Sequence, residues 1–249
     1  MTLTGWWSRL AEREPTDYLG RPVSPRGLVA RRVRRLIRPR SLAVRRTTPL
    51  SGRWGADRGT PVDRYYIERF LDRNRDAIRG SVLEVKHSLY TNRFGGDVRE
   101  RNVLDVDATN DLATHVLDLA RADTVPDDSF DCFILTQTLQ YIFDVHGAIA
   151  HAHRILRPRG VLLCTVPSVS RMEPGSLESE FWRFTTACCR RLFGHAFGNE
   201  NVAVRAHGNV LTCMAFLTGI AAEELRTSQL ERDDENFPLL VTVRAEKGG

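Results

Sequence analysis

The chain has 249 residues, 42% of them hydrophobic, which is enough for one α/β domain with an additional segment. No run approaches the roughly 18–20 consecutive apolar residues of a membrane span, and no apolar N-terminal segment indicates a secretory signal. The five cysteines form no CxxC pair and no His/Cys group with zinc spacing. We therefore expect reduced thiols, a cytoplasmic location and no metal site.

Net charge divides the chain into two parts. Residues 1–58 contain fourteen arginines and four acidic residues, a net charge of +10, whereas the whole chain carries +5, so residues 59–249 carry −5. We predict an Arg-rich N-terminal extension over residues 1–58 and a folded domain over residues 59–249. Within the extension, residues 28–38 have the pattern of a short basic helix that Pro39 ends.

The sequence supports two interpretations of this extension. It contacts nucleic acid, an anionic lipid surface or an acidic partner, or else it is an arm, or a helix docked on the domain, whose arginines are solvated. No aromatic residues are interleaved among the arginines of residues 28–38, as stacking on bases would require. We favour the solvated arm and expect no nucleic-acid partner.

The pattern of elements changes at Pro61, which suits the first turn of a helix. Apolar residues between Tyr65 and Ile78 predict a helix that ends by Gly80. Strands are predicted at residues 82–85, 103–107 and 114–117. A polar loop that begins at residue 86 separates the first two of these strands.

Residues 118–167 are the most diagnostic stretch. The runs Cys132–Leu135 and Val161–Val166 are too short for globular helices and apolar on both faces, as in central strands of a parallel sheet. Between them, apolar residues at helical spacing predict a helix that stops at the Arg-Pro-Arg-Gly sequence of residues 157–160. This order is a strand–helix–strand crossover, the unit of nucleotide-binding α/β sheets.

The segment after Pro167 is polar and rich in turn residues, and it leads into the cluster Trp182–Phe184. Such a segment suits a lid over a substrate. The remaining predicted elements are a helix at 187–197, a strand at 201–207, an apolar helix or lid at 211–225 and a final strand at 239–244.

Three acidic residues lie at or near the carboxyl ends of successive predicted strands: Glu84, Asp107 and Asp118. Ligands of open α/β sheets bind outside the carboxyl ends of the strands, where the strand order reverses. Each acid taken singly is equally well interpreted as a helix cap or turn residue. Their succession at neighbouring strand ends favours a binding site.

Together, these segments identify a family resemblance. The sequences VLEV, VDAT, DLARADTVPDDSFDCFILTQTLQYIFD, HRILRPRGVLLCTVP and FWRFT occur in the order found in class I S-adenosylmethionine-dependent methyltransferases. The resemblance covers roughly residues 60–245 and is to the small-molecule, type 11-like members. It implies a Rossmann-like three-layer sandwich with a seven-stranded, mostly parallel sheet whose last strand is antiparallel. It also implies S-adenosylmethionine as the cofactor.

The resemblance assigns roles to individual residues of the cofactor site. Asp107 would bind the ribose hydroxyls. Asp118 would accept a hydrogen bond from the adenine amino group, with Leu119 packed nearby. Glu84 would steady the following loop or reach the methionine part. Two residues at the end of the fourth strand, Thr136 and Gln137, would also face the cofactor.

The loop after the first strand departs from the family, which has glycines there. It reads Lys86-His87-Ser88-Leu89-Tyr90-Thr91, so we expect side chains of Lys86, Ser88 and Tyr90 to contact the methionine carboxylate. Alternatively, their bulk closes the pocket. The chain would then be a pseudo-methyltransferase that serves as a pathway partner or catalyses a non-methylating step.

Methyl transfer to a hydroxyl requires an oriented acceptor and a group that takes the proton. Tyr141 is predicted to orient the acceptor, with Asp144 and His146 as candidate bases; surface or packing roles are the alternative for the histidine. The resemblance of FWRFT to relatives near sugar-tailoring pathways makes Trp182 and Arg183 candidate substrate contacts, although Arg183 is equally well explained by pairing with an acid. The predicted substrate-binding residues are Trp182, Arg183 and His207.

We predict O-methylation of a small hydroxylated metabolite, either sugar-containing or a natural product. The oligomeric state is left open by the sequence, with a homodimer among the options.

Overall fold

The computed structural model describes residues 47–249. The predicted basic helix at residues 28–38 therefore lies outside the described residues, as does most of the predicted extension. Seven strands occur in the described chain: β1 Gly80–Val85, β2 Val98–Asp105, β3 His115–Val116, β4 Phe130–Thr136, β5 Leu156–Pro167, β6 Val202–His207 and β7 Leu240–Glu246. Six α-helices accompany them: α1 Val62–Arg73, α2 Leu89–Phe94, α3 Val145–Ile155, α4 Thr186–Phe197, α5 Val210–Thr218 and α6 Thr227–Leu230.

The strands form one sheet in the order β3-β2-β1-β4-β5-β7-β6. Strands β1 to β5 pair in parallel, and β7 lies antiparallel between β5 and β6. The predicted seven-stranded sheet with an antiparallel last strand is confirmed. The chain order reverses between β1 and β4, and this is the point at which open α/β sheets bind their ligands.

Each face of the sheet has its own apolar core. Successive strand residues point to opposite faces, so Leu83 joins a core with α3 and α4, whereas Val82 joins a core with α1, α2 and α5. Phe133 and Ile134 divide between the two faces in the same way. Helices on both faces make the three-layer sandwich that the continuous apolar runs predicted.

The central crossover follows the sequence closely. Helix α3 ends at Ile155, so it stops before Pro158, which cannot continue a helix. The chain then enters β5 directly, because Leu156 already pairs with Phe130 of β4. No helix within residues 47–249 has the length and apolar character needed to cross a bilayer.

Candidate cofactor and substrate site

Glu84 fixes the loop that follows β1. Its side chain is 1% exposed, and its carboxylate accepts hydrogen bonds from the amides of Tyr90 (3.0 Å) and Thr91 (2.8 Å) and from the Thr91 hydroxyl (2.8 Å). The first amides of a helix lack partners within the helix, so this buried carboxylate completes the start of α2. Glu84 is thus a residue that steadies the loop, one of the two roles the resemblance implied.

Lys86 holds a turn that normally requires glycine. Its φ is 68°, in the left-handed region that costs a residue with a Cβ about 1–2 kcal/mol. The turn persists because the Lys86 amide donates to the Leu104 carbonyl (2.9 Å) and the Lys86 carbonyl accepts from the Asn110 side chain (2.8 Å). The backbone therefore keeps a glycine-like conformation, and the Lys86 side chain is exposed.

Tyr90 turns into the core on the α1 side. Its side chain is 3% exposed, its ring lies 6.2 Å from that of Phe94, and its hydroxyl accepts from the Arg64 guanidinium at 3.0 Å. Burial raises the pKa of Tyr90, and the Arg64 charge opposes that rise. Ser88, the third predicted contact of this loop, precedes α2 and is partly exposed.

The end of β2 presents a carboxylate to solvent. Asp105, the last residue of the strand, is buried and accepts from the Asn110 side chain at 2.8 Å. Asp107 is exposed, and its Oδ1 accepts from the amide (2.9 Å) and hydroxyl (2.7 Å) of Thr109. These hydrogen bonds, together with the charge of Lys86, lower the pKa of Asp107. Its Oδ2 has no donor within residues 47–249.

Asp118 has the same arrangement after β3. Its Oδ1 accepts from the Ala120 amide at 2.9 Å and caps the short turn Leu119–Arg121, while Oδ2 has no partner in the described part of the chain. Leu119 beside it is 1% exposed. Both acids therefore cap a turn through one oxygen and leave the other free. A role as a turn cap is thus compatible with a role in ligand binding.

The end of β4 is tied to β5 and carries a buried acceptor that the sequence did not single out. The Gln137 amide donates to the Thr165 carbonyl (2.9 Å), and the Gln137 carbonyl accepts from the Gln140 side chain (2.9 Å). Gln140 is 4% exposed, yet its Oε1 has no donor among the described residues. Buried polar atoms are nearly always paired, so this oxygen is a candidate ligand contact. Thr136, which precedes Gln137 in the chain, is partly exposed.

The segment after β5 closes over this strand end. The Gln140 carbonyl accepts from the amides of Phe181 (2.7 Å) and Trp182 (3.3 Å), and the Trp182 indole donates to the Ile142 carbonyl (3.0 Å). The Trp182 ring stacks on Phe143 with centroids 5.9 Å apart. The predicted lid segment therefore lies against the loop that follows β4.

Tyr141 lies beside a buried ion pair. Arg183 contacts Glu180 at 2.8 Å, and the Glu180 side chain is only 3% exposed. Burial raises the pKa of Tyr141, and the negative charges of Glu180 and Glu173 raise it further. Tyr141 is thus a neutral phenol near neutral pH. Of the two roles considered for Arg183, pairing with an acid is the one observed.

Asp144 and His146 lie at the start of α3. The Asp144 carboxylate accepts from the Gly147 amide at 2.9 Å and caps the helix, and His146 is exposed on the first turn. Their helix begins at the same edge of the sheet as Tyr141, but no hydrogen bond within the described chain joins either residue to it.

The structure places His207 far from these residues. It is buried at the end of β6, 3.1 Å from the Thr242 hydroxyl and 3.5 Å from Asp233, with its ring stacked on Tyr66. Strands β5 and β7 stand between β4 and β6, so at about 4.8 Å per strand His207 is about 14 Å from the β4 line. His207 and Tyr141 do not share one site by this measure.

A family model described as a methyltransferase domain matches residues 81–164. A search of curated proteins found no match. Among solved structures, a phosphoethanolamine N-methyltransferase 2 of Haemonchus contortus, in complex with phosphomonomethylethanolamine and S-adenosylhomocysteine, is 13% identical with a TM-score of 0.50, over 74% of this chain and 53% of that chain.

Two further solved structures are S-adenosylmethionine-dependent methyltransferases. The Archaeoglobus fulgidus protein is 12% identical, with a TM-score of 0.49 over 74% of this chain and 94% of that chain. The Mesorhizobium loti protein is 14% identical, with a TM-score of 0.48 over 75% of this chain and 98% of that chain. At 13% identity, the similarity to the Haemonchus contortus protein concerns the fold alone.

Proposed function

We propose that this chain, which carries a class I S-adenosylmethionine-dependent methyltransferase domain, methylates a hydroxyl group of a small metabolite. The observation that carries the proposal is the pair of carboxylates Asp107 and Asp118. They follow the neighbouring strands β2 and β3, on the β1 side of the point where the strand order reverses, and each leaves one oxygen without a donor from residues 47–249.

These residues fit the nucleoside half of the cofactor. The free oxygen of Asp107 would accept from the ribose hydroxyls, and that of Asp118 from the adenine amino group, with Leu119 packed against the base. The lowered pKa of Asp107 keeps it ionised as an acceptor. The backbone path through Lys86 also resembles that of a glycine turn, although it is built from a different residue.

The methionine half is where the sequence departs from the family. We propose that the exposed ammonium group of Lys86, with the Ser88 hydroxyl, takes the place of the backbone amides and binds the carboxylate of the cofactor. When bound, S-adenosylmethionine supplies an electrophilic methyl group on sulfur. The chain then needs to orient the acceptor, exclude water and take up one proton.

Gln140 suits the orienting task. Its buried Oε1 has no donor among residues 47–249, and an acceptor hydroxyl would supply one, which would fix the direction of the oxygen lone pairs. Tyr141, as a neutral phenol, would donate a hydrogen bond to the same substrate. Asp144 and His146 remain the predicted proton acceptors, because their helix begins at this strand end. The lid contacts of Trp182 would exclude water.

Isotopically labelled S-adenosylmethionine tests the proposed reaction directly. The full chain would be incubated with labelled cofactor and pooled metabolites that carry hydroxyl or amine groups, and the products would be identified by mass spectrometry. We expect the label on oxygen, and we expect Gln140→Leu to reduce turnover while cofactor binding is retained. Label found only on nitrogen or carbon would contradict O-methylation.

The second candidate is a protein of the same fold that does not transfer methyl groups. The observation that favours it is the long side chain of Lys86 at a turn where the family has glycine, which has no side chain. The two candidates differ in what happens when that side chain is removed. A cofactor contact would be lost if Lys86 binds the carboxylate, whereas a closed site would open if Lys86 obstructs it.

A further inference from the structure

A cleft lies between helix α1 and the outermost strand β6. It has a volume of about 260 Å³. Arg205 and His207 are two residues apart on β6 and so point to the same face of the sheet, where they form one wall. Side chains of α1 form the opposite wall, and residues 230, 231 and 233 close a third side.

Three arginines line this cleft: Arg69, Arg73 and Arg205. Arg69 lies 2.6 Å from Glu231 and 2.8 Å from the Tyr65 hydroxyl, and Arg205 lies 3.0 Å from Asp233. Arg73, the last residue of α1, has no acidic partner within residues 47–249. Three arginines therefore face two carboxylates, and the cleft carries an excess of positive charge.

One of the two carboxylates, Asp233, has hydrogen-bond partners besides an arginine. Asp233 accepts from the Gly208 amide at 3.0 Å and also contacts His207. Burial alone would raise the pKa of Asp233, but the hydrogen bonds from His207, Gly208 and Arg205 lower it, so it stays ionised. Asp233 would therefore keep its place if Arg205 also bound a second anion.

The arginines keep donors for such an anion. A guanidinium has five N–H donors in a planar fork, and the ion pairs of Arg69 and Arg205 each use one nitrogen. Tyr65, which is partly exposed, adds an aromatic surface beside the charges, and the buried Tyr66 packs against it with ring centroids 5.4 Å apart. Forked donors next to a ring suit an oxyanion attached to a small organic group.

We propose that this cleft is an accessory binding site for a small molecule that carries a phosphate monoester. Arg73, Arg205 and Arg69 bind the phosphate oxygens, and Tyr65 contacts the organic part. The site is independent of methyl transfer, because β6 is separated from β4 by two strands. It does not depend on the proposed enzymatic function.

Calorimetric titration of the full chain with glycerol 3-phosphate tests this site, with glycerol as the uncharged control. We expect saturable binding with a dissociation constant on the order of 1 mM or below, and no binding of glycerol. Arg73→Gln should raise the dissociation constant of glycerol 3-phosphate at least about fivefold. The matched control is Arg75→Gln, since Arg75 pairs with Asp72 at 3.1 Å and lies outside the cleft.

The Arg-rich residues 1–46 contribute the same background to every variant, so the difference between Arg73→Gln and Arg75→Gln isolates the cleft. Equal affinities of these two variants would overturn the proposal, as would the absence of saturation at about 10 mM ligand. S-adenosylhomocysteine should bind with the same affinity in the Arg73→Gln variant as in the parent chain. Failure of phosphate binding with retained cofactor binding would therefore leave the proposed methyltransferase function standing.

Discussion

Replacement of Lys86 by glycine separates the two candidate functions and also tests the backbone at this turn. Lys86 has φ 68°, so the glycine variant should recover about 1–2 kcal/mol of left-handed strain. Glycine also increases the entropy of the unfolded chain, which costs about 0.4–1 kcal/mol. The midpoints of these ranges give a net stabilisation of about 0.8 kcal/mol, within limits of about 0 and about 1.6 kcal/mol, or a rise in Tm of about 2–3 °C for a domain of this size.

The same variant should bind the cofactor more weakly. A solvent-exposed ammonium–carboxylate contact contributes about 1 kcal/mol, so the dissociation constant of S-adenosylmethionine should rise about fivefold. Lys86→Gln is the matched control, because it removes the charge and retains the Cβ. It should lose the same affinity without the gain in Tm.

Thermal unfolding and calorimetry on the three proteins give both quantities. An affinity of Lys86→Gly equal to or higher than that of the parent chain would refute a cofactor contact by Lys86. A higher affinity would in addition indicate that the side chain obstructs the site, as the non-methylating alternative requires. A fall in Tm would refute the account of strain at this turn.

Two further predictions concern the folded chain. Glu84→Ala leaves the amides of Tyr90 and Thr91 without acceptors, which costs about 1–3 kcal/mol for each amide. Urea unfolding should therefore show a free energy of unfolding that is lower by about 3 kcal/mol. A decrease below about 1 kcal/mol would contradict the role of Glu84. Cys188 is the exposed thiol, while burial raises the pKa of Cys189 to about 12 and that of Cys213 to about 11. Ellman's reagent at about pH 8 should therefore modify one thiol rapidly in the native chain and all five in denaturant, whereas rapid reaction of a second thiol would contradict the burial of the other four.

The central crossover could be predicted from sequence because its signals are local. Apolar runs without polar interruption require burial on both faces, and the proline at position 158 limits the helix between them. These two features predicted β4, α3 and β5, with small differences at the ends. Strand β5 begins earlier than expected because Leu156 pairs with Phe130, a contact that apolar pattern alone does not reveal.

The candidate site was less accessible to sequence reasoning, since it depends on contacts between distant segments. The separation of His207 from Tyr141 follows from the insertion of β7 between β5 and β6, and sheet order is not a local property. The Gln140 backbone is bonded to Phe181 and Trp182, about forty residues later in the chain, and its Oε1 is buried, so neither feature is visible in the local sequence. Nothing in the sequence around Gln140 distinguishes it from Gln137.

Tyr90 illustrates a further limit. Its place in a cofactor loop indicated a ligand contact, but its ring is buried with Phe94 and its hydroxyl is bonded to Arg64. A large aromatic side chain gains more from burial than from exposure at a strand end, and α1 supplies the surface that it covers. Its assignment as a cofactor contact stays a prediction that this placement does not support.

The most direct test of the account is calorimetric titration of the full chain with S-adenosylhomocysteine, compared with Asp107→Ala, Asp118→Ala and the control Asp111→Ala. Asp111 is an exposed neighbour of the β2 turn with no assigned ligand contact. We predict saturable binding that is at least about tenfold weaker in the first two variants and unchanged in the control, with native-like Tm values throughout. The absence of binding at about 1 mM ligand, or parental affinity in both Asp107→Ala and Asp118→Ala, would contradict a nucleoside site held by these two carboxylates.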